Sequence, residues 1–558
     1  MAWWKNAVIY QIYPKSFMDS NGDGIGDLKG IEQKLDYLKQ LGVDALWLSP
    51  IYLSPQVDNG YDITNYRQVD PHFGTNADLA QLIAASHQRG IKIIMDMVAN
   101  HTSDQSPWFL ESKRSRDNYF SDFYIWRDPK PNGDPPNNWG SNFGGSAWEY
   151  VPKRKQYYLH YYAKEQPDLN WENPLVRQAI YDMMRYWKAH HVDGWRMDVI
   201  TSISKDQRFL DYPNPHHLSV VMGNQNNGPR MHEFIHEMHN EVLGPFSMLS
   251  IGESPAATST DARLLVDPSR EELDMIFTFE HMHVDRQPGN INGRWAIQPI
   301  NVVQLKQTLA KWQDALRDHG WNALYFENHD RARTPSRWGN DLHYRYESAT
   351  AFATVLHGLQ GTPFIYQGEE IGMTNPHFSL ADYEDIELKT NYEKLVNQQK
   401  TISSDNFLKA ARKISRDNAR TPMQWNDSPN AGFTSGQPWF KLNPNYPQVN
   451  VAADQQAAKS VFRYYQRLIH LRHTQDILTT GQFELLLPDD PHLFVYRRVL
   501  DHMQWLVMAN LSAEQQTLTD FPTSGEIVIA NYPDLQIGQN VQVNVLRPYE
   551  AAIIALPD

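Results

Sequence analysis

The chain of 558 residues carries a formal net charge of −14 at pH 7 and contains no cysteine. This length suits one large barrel with one or two attached domains. The acidic balance argues against nucleic acid and an anionic membrane surface as partners, because both attract a basic face. The lack of cysteine excludes disulfides, and no apolar run reaches the ~18 residues that a membrane helix needs. We therefore expect a cytoplasmic protein.

The first predicted strand, AVIYQIYP (7–14), leads into an acidic loop. Five oxygen donors have the spacing of the first five ligands of an EF-hand calcium loop: Asp19, Asn21, Asp23, the Ile25 carbonyl and Asp27. Gly30 stands where the EF-hand has its bidentate glutamate, and a strand replaces the entering helix. The loop therefore predicts a structural metal site rather than a sensor, with Ca²⁺ as the expected ion and Mg²⁺ as the alternative. A plain Asp/Gly turn without metal is the other interpretation.

Short apolar runs then alternate with helical patterns along the chain. The strand-like runs are AVIYQIYP (7–14), ALWLSPI (45–51), IKIIMDMV (91–98), GWRMDVI (194–200), MLSIGE (248–253), MIFTFEH (275–281), ALYFENHD (323–330) and TPFIYQGEE (362–370). Between the first two, LKGIEQKLDYLKQLG repeats leucine and isoleucine at three- and four-residue steps, which predicts one amphipathic helix. The alternation predicts an α/β fold, a (β/α)8 TIM barrel.

Two segments interrupt this rhythm. Residues 102–171 are rich in Trp, Tyr, Asn and Pro and are too long for a βα loop, so they predict an inserted domain after the third strand. From about residue 480, short alternating runs with turn residues between them predict an antiparallel C-terminal β-sandwich. The predicted division is 1–101 and 172–479 for the barrel, 102–171 for the inserted domain and 480–558 for the C-terminal domain.

Reactive side chains gather at the predicted strand ends, which in a (β/α)8 barrel meet at the face that carries the chemistry. They are Asp96, His101, Arg196, Asp198, Glu253, His329 and Asp330. A metal-dependent barrel hydrolase commonly pairs two histidines on one strand, and no predicted strand offers His-x-His. Glycoside hydrolysis needs two carboxyl groups instead, about 5 to 5.5 Å apart in retaining enzymes.

Asp198 and Glu253 end consecutive predicted strands. Neighbouring strands lie about 4.7 to 4.9 Å apart, which suits a retaining pair. Arg196 stands two residues before Asp198, so it points to the same side of the strand. We expect its guanidinium to keep Asp198 ionised as the nucleophile, and Glu253 to hold its proton in a partly apolar pocket as the acid.

Several motifs resemble conserved regions of the α-amylase superfamily of glycoside hydrolases. They are DMVANH (96–101), QPDLNW (166–171), GWRMDVI (194–200), IGES (251–254) and FENHD (326–330). The opening WWKNAVIYQIYPKSFMDSNGDGIGDLKGI and the later RDNARTPMQW (416–425) resemble the oligo-1,6-glucosidase and α-glucosidase group in particular. The similarity runs through nearly the whole chain in order. It implies a hydrolase of small oligosaccharides, with a calcium loop at the five donor positions named above.

The resemblance also implies a role for each site residue. Asp198 falls on the nucleophile, Glu253 on the acid/base and Asp330 on a third carboxylate that grips sugar hydroxyls. The positions that line the pocket of the non-reducing glucose are Asp58, Tyr61, His101, Phe143, Tyr162, Gln166, Arg196, His329 and Arg416. Phe143 and Tyr162 have a second interpretation, as the packed wall of the inserted domain.

Linkage preference is expected to depend on Val199, which follows the predicted nucleophile. In the group that the chain resembles, valine there accompanies preference for α-1,6 links, whereas threonine or alanine accompanies α-1,4 links. Glu387 falls on a position that contacts the acceptor sugar. The segments IGESPAAT and FENHDRAR depart from the group's common pattern, and we expect both departures to border the acceptor side.

We therefore predict a retaining exo-acting α-glucosidase that releases terminal α-1,6-linked glucose from isomaltose, panose and short isomalto-oligosaccharides. The alternatives are an α-1,4-preferring enzyme and a transglucosylase or sucrose isomerase on the same scaffold. A non-catalytic transporter subunit would carry a membrane anchor and lack the three carboxylates, and the sequence matches neither condition. We expect no organic cofactor, and a monomer, with a weak dimer as the alternative.

Overall fold

Eight parallel strands close into a barrel at the centre of the protein. The computed structural model describes residues 2–213, 219–221, 226–519 and 521–557. The barrel strands are β1 (Ile9–Ile12), β2 (Ala45–Leu48), β3 (Lys92–Val98), β4 (Gly194–Asp198), β5 (Leu249–Glu253), β6 (Met275–Phe277), β7 (Asn322–Leu324) and β8 (Thr362–Tyr366). Each strand pairs with the next along the chain, and β8 pairs with β1. The predicted (β/α)8 barrel is confirmed.

The barrel strands are covered on both faces, which explains their continuous apolar runs. In β4 all five residues are buried, and the same holds for β5. In β4 and β5 the charged residues are Arg196, Asp198 and Glu253, and each of these strands ends on one of the two carboxylates. The parallel register places Arg196 of β4 opposite Asp96 of β3, so the first buried ion pair lies one layer below the strand ends.

Helices surround the barrel. They are α1 (Leu28–Gln33), α2 (Leu35–Leu41), α3 (Asn76–Gln88), α4 (Pro107–Ser112), α5 (Pro174–Ala189), α6 (Met231–Met238), α7 (Ser259–Val266), α8 (Val302–Leu316), α9 (Thr334–Arg337), α10 (Arg345–His357), α11 (Ile386–Tyr392), α12 (Ser404–Ile414), α13 (Val451–Gln456) and α14 (Val461–Thr474). The prediction of one helix from residue 28 to 41 is wrong. Lys34 leaves the helical conformation (φ −103°, ψ 6°), and its ammonium lies 4.2 Å from the centre of the Trp425 ring.

The segment after β3 forms its own small sheet beside the barrel. Its strands Trp126–Arg127, Gln156–Leu159 and Trp148–Val151 pair in antiparallel fashion in that order. Aromatic residues make up much of its packing, as the Trp- and Tyr-rich sequence indicated. The bounds proposed for this inserted domain, 102–171, stay a prediction, as do the other domain bounds.

The C-terminal segment is antiparallel, as predicted. Its main sheet contains β9 (Gln482–Leu486), β10 (Leu493–Leu500), β11 (Met503–Asn510), β12 (Ser524–Ala530), β13 (Asn540–Gln542) and β14 (Ala551–Ala555). One face joins the barrel core through Tyr496 and Ile553, and the other covers an apolar cluster with Leu518 and Leu546. Leu546 belongs to a second, two-stranded sheet, and Leu518 directly follows the other strand of that sheet. Within the described ranges, no helix is both long and apolar enough to cross a membrane.

Candidate active site

The ends of β4 and β5 bring two carboxylates together. The register aligns Met197 with Gly252, so Asp198 and Glu253 follow at equivalent positions of neighbouring parallel strands. Each is only 8% exposed, and both line the same cavity at the C-terminal face of the barrel. The sequence-based placement of the two acids on consecutive strands therefore holds.

Arg196 contacts both carboxylates from below. Its Nη1 lies 2.9 Å from Oδ1 of Asp198 and 2.9 Å from Oδ1 of Asp96, while its Nη2 lies 2.6 Å from Oε2 of Glu253. The guanidinium that was expected beside Asp198 therefore also contacts Glu253, a contact that the expected partly apolar pocket around Glu253 did not include. β5 pairs with β4 in a register that puts Ile251 beside Arg196, so Glu253 is within reach of the fork of the guanidinium.

The protonation of this group follows from its burial. Burial raises the pKa of Asp198 well above its usual range, and the adjacent Glu253 and Asp96 charges raise it further, against the lowering effect of Arg196. Burial likewise raises the pKa of Asp96 to about 6 in spite of Arg196. One positive charge thus faces three carboxyl groups, and burial together with the repulsion between these groups raises the pKa values of Asp198 and Asp96.

The residue after Asp198 has an unusual backbone. Val199 adopts φ 36° and ψ 42°, in the left-handed region that β-branched residues rarely enter. This conformation directs its N–H to Oε2 of Glu253 at 3.0 Å. The Val199 side chain also lines the cavity. A strained turn at the end of β4 therefore connects the two carboxylate-bearing strands.

A third carboxylate, Asp330, follows β7. Its Oδ1 lies 2.7 Å from Arg420 and 3.4 Å from Arg416, and its Oδ2 lies 3.3 Å from Nε2 of His329. Burial would raise the pKa of Asp330, but His329, Arg416 and Arg420 together hold it well below its usual range. Because burial lowers the pKa of His329 to about 3, this ring is neutral near pH 7, and the two arginines keep Asp330 ionised.

A polar network closes the inner end of the cavity. Arg416 reaches Oδ1 of Asp58 at 3.2 Å, and Gln166 donates to Oδ2 of Asp58 at 3.2 Å. Gln166 also lies 3.2 Å from Nε2 of His101, whose pKa burial lowers to about 3. Burial raises the pKa of Asp58 to about 6, although Arg416 opposes the shift. A neutral imidazole, an amide and a carboxyl group are suited to bind several hydroxyl groups.

Tyr61 forms one side of this closed end. Its ring stacks on His329 with centroids 5.4 Å apart, and its hydroxyl lies 2.7 Å from Nε2 of His329. Gln11 holds the opposite nitrogen of His329 at 2.8 Å. The ring of Phe143 meets Tyr162 edge-on, and the Arg416 guanidinium lies 5.1 Å from the Phe143 ring centre. These rings provide apolar surface against which a sugar face can pack.

Most of the predicted site residues line one cavity of about 230 Å³. They are Asp58, Tyr61, His101, Phe143, Tyr162, Asp198, Val199, Glu253, Asp330, Glu387 and Arg416. Gln166, Arg196 and His329 lie directly behind this lining and contact it, as described above. The remaining lining residues were not predicted individually as site residues, although Pro255 and Arg331 belong to the two segments expected near the acceptor. They are Asn142, Val220, Pro255, Phe279, His283, Arg286, Arg294 and Arg331.

The two segments that depart from the group's common pattern, IGESPAAT and FENHDRAR, place only some of their residues at the cavity. Pro255 of IGESPAAT and Arg331 of FENHDRAR line the cavity, whereas Ser254, which directly follows Glu253, is not among the lining residues. Glu327 does not line it either, because it is buried beneath the site, where its carboxylate pairs with Arg333 at 3.2 Å and accepts the Thr334 N–H. The expectation that this glutamate borders the acceptor side is wrong. Glu387 pairs with Arg294 at 2.7 Å at the outer part of the cavity.

The acidic loop after β1 is ordered by its own hydrogen bonds. Asp19 accepts the N–H groups of Asn21, Gly22 and Gly24 at 2.8 to 2.9 Å, and Asp27 caps α1 through Gly30. Within the described part of the chain, no group of three or more His, Cys, Asp and Glu side chains is arranged to hold a metal ion. The donors are all oxygens, as Ca²⁺ and Mg²⁺ prefer. The metal interpretation of this loop therefore stays a prediction.

A closed parallel barrel with paired carboxylates at adjacent strand ends and a third acid at a nearby one has the site of a glycoside hydrolase. The catalytic domain of the alpha-amylase family matches residues 11–481, and the chain belongs to this family. It is 56% identical to an oligo-1,6-glucosidase of Heyndrickxia coagulans over 555 residues, 99% of each chain.

Solved structures agree with this assignment. Trehalose-6-phosphate hydrolase of Bacillus licheniformis superposes with a TM-score of 0.92 at 43% identity, and isomaltulose synthase of Klebsiella sp. LX3 with a TM-score of 0.95 at 41% identity. In both comparisons the match covers 100% of each chain. The protein is a glycoside hydrolase of the α-glucosidase type.

Proposed function

We propose that the protein is a retaining, exo-acting α-glucosidase that releases terminal α-1,6-linked glucose from isomaltose, panose and short isomalto-oligosaccharides. The observation that carries this proposal is the closed inner end of the cavity. Arg416 bridges Asp58 and Asp330 there, so the chain leaves no passage for a longer glycan beyond the terminal sugar. A cavity of about 230 Å³ has the size for one sugar unit near the carboxylates, with the next unit at the mouth.

Asp198 and Glu253 have different roles in the proposed reaction. Asp198 attacks the anomeric carbon and forms a covalent glucosyl ester, while Glu253 donates its proton to the departing oxygen. Glu253 then takes a proton from water, which attacks the ester and restores Asp198. Arg196 stabilises whichever carboxylate is ionised at each step, because it contacts both.

The preference for α-1,6 links is supported by the position of Val199. Its side chain lines the cavity beside Glu253, where the acceptor sugar has to leave. A branched apolar side chain offers that sugar no hydrogen bond and has a stiff χ1. An α-1,6 link has one more rotatable bond than an α-1,4 link and can route its acceptor past this obstacle. The 56% identity to an oligo-1,6-glucosidase supports the same preference.

The proposal is tested by initial rates on isomaltose, panose, maltose, trehalose and sucrose at equal concentration. We expect isomaltose and panose to be cleaved faster than maltose. Polarimetry should show that the glucose is released as the α-anomer. A higher kcat/KM for maltose than for isomaltose would contradict the α-1,6 preference. Release of β-glucose would contradict the retaining mechanism.

A second candidate function is transfer of glucose to another sugar. The TM-score of 0.95 with an isomaltulose synthase favours it, because the covalent intermediate is open to attack by a sugar hydroxyl as well as by water. Product analysis on sucrose separates the two functions: hydrolysis gives free glucose and fructose in equal amounts, whereas isomerisation gives a new disaccharide and little monosaccharide.

We also propose a structural cation, Ca²⁺ or Mg²⁺, in the loop of Asp19 to Asp27, since its donors are hard oxygens. The lack of cysteine supports a place in the reducing cytoplasm. We propose a monomer, with a weak dimer as the alternative state.

A further inference from the structure

Arginine residues concentrate at the mouth of the active-site cavity. Arg286, Arg294 and Arg331 all line it, and His283 lies among them. Arg286 and His283 belong to the loop that follows β6, and Arg331 follows Asp330 at the end of β7. The carboxylates that hold the terminal glucose occupy the inner end. The mouth therefore meets the aglycone, the part of the substrate that leaves.

Two of these three guanidiniums have no carboxylate partner among the residues that the structure describes. Arg294 pairs with Glu387 at 2.7 Å. Arg331 is only 8% exposed and lies over the Phe279 ring, with 5.1 Å between the guanidinium and the ring centre. Arg286 is half-buried, and Asp285, the acid that precedes it in the chain, is engaged by Arg337 and Trp338.

This arrangement is costly for an empty site, because like charges are held together in partly desolvated surroundings. Burial, together with the positive charges of Arg294 and Arg331, lowers the pKa of Arg286 to about 8. Burial also lowers the pKa of Arg331. His283 stays neutral, since burial and then Arg286 depress its pKa. An anion placed between Arg286 and Arg331 would relieve this repulsion.

The catalytic acids do not supply that anion. Asp198 and Glu253 are bound by Arg196, and Asp330 is bound by Arg416 and Arg420. Their negative charge is thus balanced on the inner side of the cavity. The unpaired positive charge faces the space into which the aglycone projects, on a chain whose net charge is −14.

We propose that the mouth of the cavity is a binding site for an anionic group on the aglycone sugar, and that this group is a phosphate monoester. This inference rests on the proposed α-glucosidase function and names a substrate class for it. The planar forks of Arg286 and Arg331 each offer paired N–H donors that match phosphate oxygens. Two guanidiniums balance the charge of a phosphate dianion, whereas the single charge of a sugar carboxylate leaves one of them uncompensated.

The test uses trehalose and trehalose 6-phosphate, because one glucose of the ester is unmodified and the other carries the phosphate. We expect the wild-type enzyme to have a kcat/KM for the ester at least tenfold above that for trehalose. Arg286→Gln and Arg331→Gln should each lower this ratio at least tenfold. Arg114→Gln, which removes an exposed arginine far from the cavity, serves as the matched control and should leave the ratio at the wild-type value.

Inhibition gives a readout that does not depend on turnover of the ester. With 4-nitrophenyl α-glucoside as substrate, glucose 6-phosphate should inhibit at least tenfold more strongly than glucose, and Arg286→Gln should abolish the difference. Equal inhibition by glucuronate and glucose 6-phosphate would replace the phosphate by a carboxylate and overturn the proposal. A ratio near one for the two trehalose substrates would overturn it as well. Lack of any hydrolysis of 4-nitrophenyl α-glucoside would instead contradict the proposed α-glucosidase function.

Discussion

The backbone N–H of Val199 donates a hydrogen bond of 3.0 Å to Oε2 of Glu253. This bond exists because Val199 adopts a left-handed backbone conformation, with φ 36°. Such a conformation costs about 1 to 3 kcal/mol for a non-glycine residue and persists only where the surroundings enforce it. Here the enforcing element is the turn from β4 into the loop above the site. The strain at Val199 thus fixes Glu253 relative to Asp198.

Asp198→Asn should lower kcat on 4-nitrophenyl α-glucoside by about a thousandfold or more, because the amide forms no glucosyl ester. Folding should be preserved, since Arg196 keeps its contacts with Asp96 and Glu253. Steady-state kinetics and thermal unfolding measure the two effects. Asp117→Asn, an exposed aspartate, is the control. Turnover of Asp198→Asn within tenfold of wild type would remove Asp198 from the role of nucleophile.

Glu253→Gln should affect substrates according to their leaving groups. The amide oxygen can still accept the Val199 N–H, so the geometry is kept, but the side chain donates no acidic proton. General acid catalysis is worth about 10² to 10⁴-fold. We expect kcat/KM for isomaltose to fall within that range and glucosyl fluoride, which needs little protonation, to be affected far less. An equal loss on both substrates would assign Glu253 another role.

The fold was predictable because each barrel strand is buried on both faces and reads as an apolar run, for example IKIIMDMV at β3. The carboxylates were predictable from their positions at strand ends. The arginines of the mouth were not, because Arg286 lies in a loop and Arg294 in a one-turn 3-10 helix (Gly293–Trp295), where a charged residue is ordinarily solvated. Only the folded chain brings them beside Arg331. The double contact of Arg196 likewise depends on the register of β4 and β5, which single residues do not reveal.

Removal of divalent cations should lower the melting temperature more than the initial rate. The loop of Asp19 to Asp27 lies between β1 and α1. A cation that binds only the folded state stabilises it by about 2.7 kcal/mol when the free cation concentration is a hundred times the Kd. Differential scanning fluorimetry with and without chelator measures this effect, and Asp23→Ala should lose most of it. An unchanged melting curve in chelator, with no metal found by elemental analysis, would leave only the plain turn.

Acid should destabilise the protein through its buried histidines. His357 lies in α10, away from the cavity, and neither of its ring nitrogens has a hydrogen-bond partner in the described structure. Burial lowers its pKa to about 3, whereas an unfolded histidine titrates near about 6.5. The unfolded chain therefore binds the proton first, and stability falls as the pH drops from about 6.5 towards 3. Each such histidine contributes a slope of about 1.4 kcal/mol per pH unit.

Urea unfolding at pH 7, 6 and 5 measures this slope. His101 and His329, with pKa values lowered by burial to about 3, act in the same direction. The raised pKa values of Asp58 and Asp96 act oppositely below pH 6, because the folded state then binds those protons more readily. His357→Leu should remove the contribution of one histidine, so the slope should fall by about 1.4 kcal/mol per pH unit. The same slope in His357→Leu as in wild type would contradict the assignment.

Val199→Thr should shift the linkage preference towards α-1,4. Threonine keeps the branched shape, and therefore the strained backbone and the bond to Glu253, but adds a hydroxyl that can bind the acceptor sugar. One such contact is worth about 1 to 3 kcal/mol, so the ratio of kcat/KM for isomaltose to that for maltose should fall about tenfold or more. Val199→Ile, which adds only apolar volume, is the matched control and should not raise the relative activity on maltose. A ratio within twofold of wild type in Val199→Thr would shift the source of linkage preference to the segments IGESPAAT and FENHDRAR, of which Pro255 and Arg331 line the cavity.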